Sequence, residues 1–165
     1  MAAAAPVVRT VRSAIPPFQE LLDRHHRTVY RFCRAAVGAA EADDVFQETF
    51  LAALRAYPRL RDAEHLDRWL LRIASRKAID HHRARGRRAI PSDDLPERPT
   101  PPAAGPDDEL WSAVASLPPR QRIAVVHRHV LDRPYAEIAE LMDATEATVR
   151  ANVYQGIKRL REVIA

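Results

Sequence analysis

Between Tyr135 and Leu160 the chain carries side chains suited to reading base pairs. Thr148, Arg150, Ala151, Asn152 and Gln155 share the polar side of one helical stretch. Arginine fits guanine edges, asparagine and glutamine fit adenine edges, and alanine meets a thymine methyl. Lys158, Arg159 and Arg161 follow on the same stretch and suit backbone phosphates. Such a reader needs a second helix to brace it. Tyr135, Ile138, Ala139, Leu141 and Met142 supply one, and Asp143-Ala144 leaves room only for a sharp crossing. This is the helix-turn-helix pattern, whose second helix enters the major groove. A plain helical bundle with a solvated face would carry the same residues.

A second cluster lies in residues 68–88. Arg68, Arg72, Arg76, Lys77, Arg83, Arg85, Arg87 and Arg88 stand there against one acid, Asp80. That excess is larger than the +4 of the whole chain, so the remainder is net acidic. Arg68, Arg72 and Arg76 recur every four residues and project together from one side of a helix. Charge on a helix is often only solvated surface, but Trp69 and His81-His82 lie within or beside this stripe. Aromatic and cationic groups together suit unstacked single-stranded bases. Trp69 serves equally as a core residue.

The histidines invite another chemistry. Asp80-His81-His82, with His25, His26, His127 and His129, could be taken for a metal-dependent phosphodiesterase. Adjacent helical histidines diverge by roughly 100° and rarely chelate one ion. No glycine-rich phosphate loop and no nucleophile–base set accompanies them. His25, His26, His127 and His129 read as surface or core-edge residues, and no metal or other cofactor is expected.

These residues must be held by helices. Phe18, Leu21, Leu22, His25, Val29, Phe32, Cys33 and Ala36 repeat at three- and four-residue steps, and Gly38 ends the run. A second helix spans roughly 41–56, with Val45, Phe46, Thr49, Phe50 and Ala53 inward and Pro58 after it. A third begins near Asp62 or Ala63 and buries Leu66, Leu70, Ile73 and Ala74. Residues 86–106 hold six prolines and no apolar period, which predicts an extended, poorly ordered linker. Beyond it, Asp107, Asp108 and Glu109 favour a helix N-terminus. Leu110, Trp111, Val114 and Leu117 form its apolar face. Pro118-Pro119 opens the next helix, Asp132-Arg133-Pro134 breaks the chain, and Thr145 caps the last helix. Val149, Val153, Ile157, Leu160 and Ile164 make that helix's inner stripe.

The fold class is therefore all-α. Two small helical domains, 15–86 and 107–165, are joined by a Pro-rich linker at 87–106, and the second is a four-helix unit with the helix-turn-helix. The linker leaves the two free to sit on separate surfaces. In 165 residues with 6% aromatics, such cores rest on Leu, Ile, Val and Ala. A single cysteine excludes an internal disulfide and fits a reducing cytoplasm. No apolar run approaches the roughly 20 residues of a membrane span. The first residues lack a signal peptide's apolar core and read as a disordered tail.

Asp43-Asp44-Val45-Phe46-Gln47-Glu48-Thr49-Phe50-Leu51 and Arg68 through His81 resemble region two of the extracytoplasmic-function (ECF) sigma factors of bacterial RNA polymerase. Leu117-Pro118-Pro119-Arg120-Gln121-Arg122, Tyr135-Ala136-Glu137-Ile138-Ala139-Glu140 and Thr148-Val149-Arg150 resemble region four. The resemblance covers about residues 15–164, in order and with matching spacing. It implies a non-enzymatic subunit that brings core RNA polymerase to promoter DNA. Asp44, Gln47, Glu48 and Phe50 match the motif that docks the polymerase clamp helices. Arg72, Arg76, Lys77, Asp80 and Arg83 fall in the segment that captures the melted minus-ten strand. Thr148, Arg150, Ala151, Asn152, Gln155, Lys158 and Arg159 match the minus-thirty-five reader. An anti-sigma partner is also implied, with no membrane insertion and no small-molecule substrate; the chain is cytoplasmic, or held at a membrane through that partner. The sequence departs from the pattern in four places, one being Gln155 and Ile157, where many relatives carry further arginines. Asp132-Arg133-Pro134 and Met142-Asp143 replace segments where many relatives carry glycine, and Arg150-Ala151-Asn152 replaces Lys-Ser-Arg. The rival from the same residues is a dimeric helix-turn-helix regulator, which leaves the first basic surface unexplained.

Overall fold

The computed structural model describes residues 14–88 and 106–165, and every element there is helical. The expected linker lies almost wholly outside the described residues, as does nearly all of the expected N-terminal tail. Helix α1 spans Phe18–Val37 and α2 spans Ala39–Ala56. A single 3₁₀ turn at Tyr57–Arg59 follows, and α3 spans Leu66–Arg88. In the second block α4 spans Pro106–Ser116 and α5 spans Pro119–Val125. Helix α5 runs on as a π turn over Val126–Val130, and α6 (Tyr135–Leu141) and α7 (Glu146–Ile164) complete the chain.

The helix ends follow local chemistry. Gly38 sits at φ 91°, where a Cβ would be strained, so the chain closes α1 and opens α2 in one residue. Pro119 takes the first turn of α5, where its missing N–H has no partner to lose. Thr145 caps α7, its Oγ1 accepting the Thr148 N–H at 3.1 Å.

The cores depart from expectation in one large respect. Two units free to sit apart would have separate interiors. Instead Leu21, Phe32, Leu70, Leu71 and Ala74 belong to one continuous buried cluster with Ile123, Val126, Ile138, Leu141 and Val149. Only a small satellite, Ala113, Val114, Leu117, Val125 and Leu160, belongs to the second block alone. The periodicity also placed several residues too deep: Leu110, Trp111 and Ile164 are exposed, and Gly156 takes the inner position on α7. Trp69 is half-buried and packs beside Tyr57 in the first core.

Gly156 lets α7 approach α5. A Cβ built there would lie 2.6 Å from Val125 Cγ2, a short branched group with little freedom to move. Gly156→Val should lower stability by about 2–3 kcal/mol through overpacking, read as the denaturation midpoint at constant m-value.

Candidate nucleic-acid interface

Three positions on α1, α3 and the π turn meet at one ring. His127 is fully buried, not at the surface or core edge as its sequence position suggested. It stacks on Phe32 with centroids 4.6 Å apart and an 18° tilt. Its Nε2 lies 2.7 Å from Ser75 Oγ, and that hydroxyl also lies 2.7 Å from the Leu71 carbonyl. Serine has one hydroxyl proton. With it donated to Leu71, the imidazole must donate from Nε2–H, and Nδ1 is left bare. Nδ1 indeed has no hydrogen-bond partner among the described residues. A proton there would create a buried cation without an acceptor. Burial, helped by the nearby Arg133 charge, accordingly pushes His127 from 6.5 down to about 3.

The end of α1 is closed by side chains from both blocks. Arg122 Nε donates to the Ala35 carbonyl at 2.8 Å, and His82 Nε2 donates to the Ala36 carbonyl at 2.8 Å. These carbonyls have no partner within their own helix, and the negative end of the helix dipole faces the Arg122 cation. His82 thereby separates from His81, whose Nε2 instead approaches Glu41 at 3.8 Å. The pair does not converge on one point.

An ionic network seals another edge of the seam. Arg133 Nη1 donates to Asp67 Oδ2 and Glu137 Oε1, each at 2.8 Å, and Arg68 Nε reaches the same Glu137 oxygen at 3.4 Å. Burial works against the Asp67 carboxylate, but the Arg133 hydrogen bond, the Arg68 backbone N–H and the nearby Arg133 and His25 charges together outweigh it, and the carboxyl titrates below its usual range. Sequence reasoning missed Arg133, Asp67 and Glu137 as partners. The replacement of a turn glycine by Asp132-Arg133-Pro134 was the only signal.

The candidate residues fall into three places. On α2, Asp44, Gln47 and Glu48 are exposed, whereas Phe50 is 8% exposed and packs against Phe46 (4.9 Å) and Phe18 (6.4 Å). The Phe50 ring therefore sits mostly inward, within an aromatic cluster, beside the exposed Asp44, Gln47 and Glu48. On α3, Arg72, Arg76, Asp80 and Arg83 are exposed and Lys77 is half-buried. Two of these already have a partner. Asp143, in the turn between α6 and α7, receives Arg76 Nε at 3.0 Å and a hydrogen bond from Arg72. On α7, Thr148, Arg150, Ala151, Gln155, Lys158 and Arg159 are exposed and Asn152 is half-buried. The Arg150 guanidinium sits 4.3 Å over the Tyr135 ring and 2.7 Å from Glu146, so it is held in place rather than free.

This arrangement defines a class: an all-helical protein with a basic helix in one block and a helix-turn-helix in the next. Residues 21–88 match the family model for Sigma-70 region 2, and residues 107–160 match that for Sigma-70, region 4. Over 162 residues the chain is 36% identical to the ECF RNA polymerase sigma factor SigD of Mycobacterium tuberculosis, covering 88% of this chain and 76% of the relative. It is 32% identical over 165 residues to the ECF RNA polymerase sigma factor SigE of Mycolicibacterium smegmatis, covering 93% of this chain and 64% of that one. The sigma factor RpoE of Bartonella quintana, solved with the anti-sigma factor NepR, shares the fold at a TM-score of 0.71 and 19% identity, covering 89% of this chain and 96% of the other. CnrH, solved with the cytosolic domain of CnrY, does so at 0.63 and 19%, covering 89% and 86%. The chain belongs to the ECF RNA polymerase sigma factors, transcription initiation factors rather than enzymes.

The buried imidazole ties stability to pH. Because His127 titrates lower in the folded chain, the unfolded chain binds more protons between about pH 3 and 6.5. Stability is complete above that window and falls as pH drops through it, by up to about 1.4 kcal/mol per unit. The unfolding free energy of His127→Gln, followed from pH 7 to 4.5, should decline less steeply than that of the unmodified chain.

Proposed function

We propose that this chain binds core RNA polymerase and directs promoter-specific initiation. The observation that carries the reading is the ordered pair of matches, Sigma-70 region 2 at 21–88 and region 4 at 107–160. An ordinary helix-turn-helix regulator accounts for the second match and leaves the first without a purpose. The working units are 15–86 and 107–165, with 87–106 as the tether. Joining two modest contacts raises effective concentration, so neither unit needs tight affinity of its own.

Each surface has a role. The exposed carboxylates of Asp44 and Glu48, with Gln47, face the polymerase clamp helices, whose basic side chains complement them. Arg72, Arg76, Lys77 and Arg83 track the phosphates of the melted minus-ten strand, and Asp80 lies beside them. Helix α7 reads the minus-thirty-five duplex. Arg150, Asn152 and Gln155 address base edges, Thr148 and Ala151 line the same face, and Lys158 and Arg159 take phosphates. Tyr135 and Glu146 support this by fixing the Arg150 guanidinium before DNA arrives, which lowers the ordering cost of a bidentate contact. An anti-sigma factor is the expected antagonist, since one structural relative was solved with an anti-sigma factor. Among the described residues no helix is long and apolar enough to cross a membrane. The chain acts in the cytoplasm, held at a membrane only where such a partner is anchored there.

Reconstitution tests the whole reading. Added to sigma-free core polymerase on genomic DNA of its source, the pure chain should start discrete transcripts. Failure to associate with that core would end it. Within a working system, Arg150→Ala or Asn152→Ala should cost about 1–3 kcal/mol at the contacted base pair and relax selectivity there. Run-off transcription from single-base promoter variants reads this, and an unaltered preference profile in both variants removes those contacts.

A further inference from the structure

We propose that the strand-holding face of α3 is also a docking surface for this chain's own helix-turn-helix turn, with Asp143 seated on it in place of a DNA phosphate. The inference rests on the strand-holding role given above to Arg72 and Arg76.

The geometry is specific. Asp143 offers both carboxylate oxygens. Oδ1 accepts from Arg72 Nη2 and from Arg76 Nη2 at 3.4 Å, and Oδ2 accepts from Arg76 Nε at 3.0 Å. A planar, acceptor-only anion gripped by two guanidinium groups is the arrangement arginines also make with a phosphate. The three residues are distant in sequence, 67 and 71 positions apart, so the contact is made only when the blocks pack. A strand laid across Arg72 and Arg76 must displace Asp143.

The backbone at Asp143 points the same way. It has φ 50°, the left-handed region where glycine is unstrained. An aspartate there carries a backbone cost, and the side chain it brings is the one that grips α3. The hydrogen bonds from Arg76 and Arg72 hold its carboxyl below the ordinary range, so it stays ionised wherever the chain is folded near neutrality.

The latch is built to let go. Arg72, Arg76 and Asp143 are 47%, 56% and 44% exposed, so their attraction is screened and modest. Lys77 and Arg83 have no ion-pair partner among the described residues, which leaves an incoming strand a first foothold. Firm closure belongs to the seam beneath, around His127 and Arg133. Asp143 adds a bias that phosphates contest directly.

The test uses the full chain without polymerase and a fluorescent single-stranded deoxyoligonucleotide of mixed sequence. Asp143→Asn removes the charge while keeping a residue that tolerates the left-handed backbone. Glu140→Gln, at an exposed position on α6, controls for the loss of one negative charge nearby. Asp143→Asn should bind the strand about three- to tenfold more tightly, because the competent face is no longer occupied. Glu140→Gln should change binding less than about twofold, as expected of an unpaired surface charge. Equal gains in both variants, or none in Asp143→Asn, overturn the proposal. A measurement on the unmodified chain guards against a misfolded variant. Saturation with the oligonucleotide should shift the Asp143 side-chain carboxyl resonance, and an unmoved resonance defeats the latch. Reconstituted transcription is scored separately. A latch without transcripts removes the functional reading, and transcripts without a latch remove only this inference.

Discussion

A single neutral imidazole sets how the two halves of this molecule meet. His127 is pinned by Phe32 on α1 and by Ser75 on α3, and it is itself carried on the π turn that continues α5. The Ser75 proton is committed to Leu71, so the ring has one workable tautomer and one workable direction. A slip of either block by a residue would leave the buried ring Nε2–H without an acceptor, at a cost of about 1–3 kcal/mol. Apolar packing favours contact, and this polar pair selects one contact among many.

Around that point the seam grades from dry to wet. Near the ring lie Val126, Ile123 and Ala74, all without solvent contact. Further out, Glu137 is buried but shared between Arg133 and Arg68. At the rim stand the exposed Arg72, Arg76 and Asp143. Such a gradient suits a protein that must hold a shape alone and yield it to a larger partner. The interior defines the closed form, and the rim is where solution charges act on it.

Much of the fold was legible because it is written locally. Gly38, Pro119 and Thr145 mark helix ends through the dihedral and capping preferences of single residues. The apolar stripes of α1, α3 and α7 follow the helical period. The site was legible where it faces solvent, as on α7, where polar side chains opposite Val149 and Val153 cannot be core. It was illegible where a residue's role depends on a remote partner. His127 needs Ser75, 52 positions away, and Arg133 needs Asp67, 66 away. Phe50 shows the converse case. A family motif carried it to the docking face, while Phe46 and Phe18 draw its ring inward. Leu110 and Trp111 kept the period but stay exposed, outside both buried clusters.

Cys33 lies in α1 one residue from Phe32, wholly enclosed, with burial pushing its thiol up to about 12. A thiol that is both sealed and protonated is nearly inert toward alkylating and oxidising reagents. It is also the chain's only sulfhydryl. The protein therefore carries its own clock: covalent labelling can proceed only as fast as α1 lifts from its neighbours, and each tagged molecule records one such excursion.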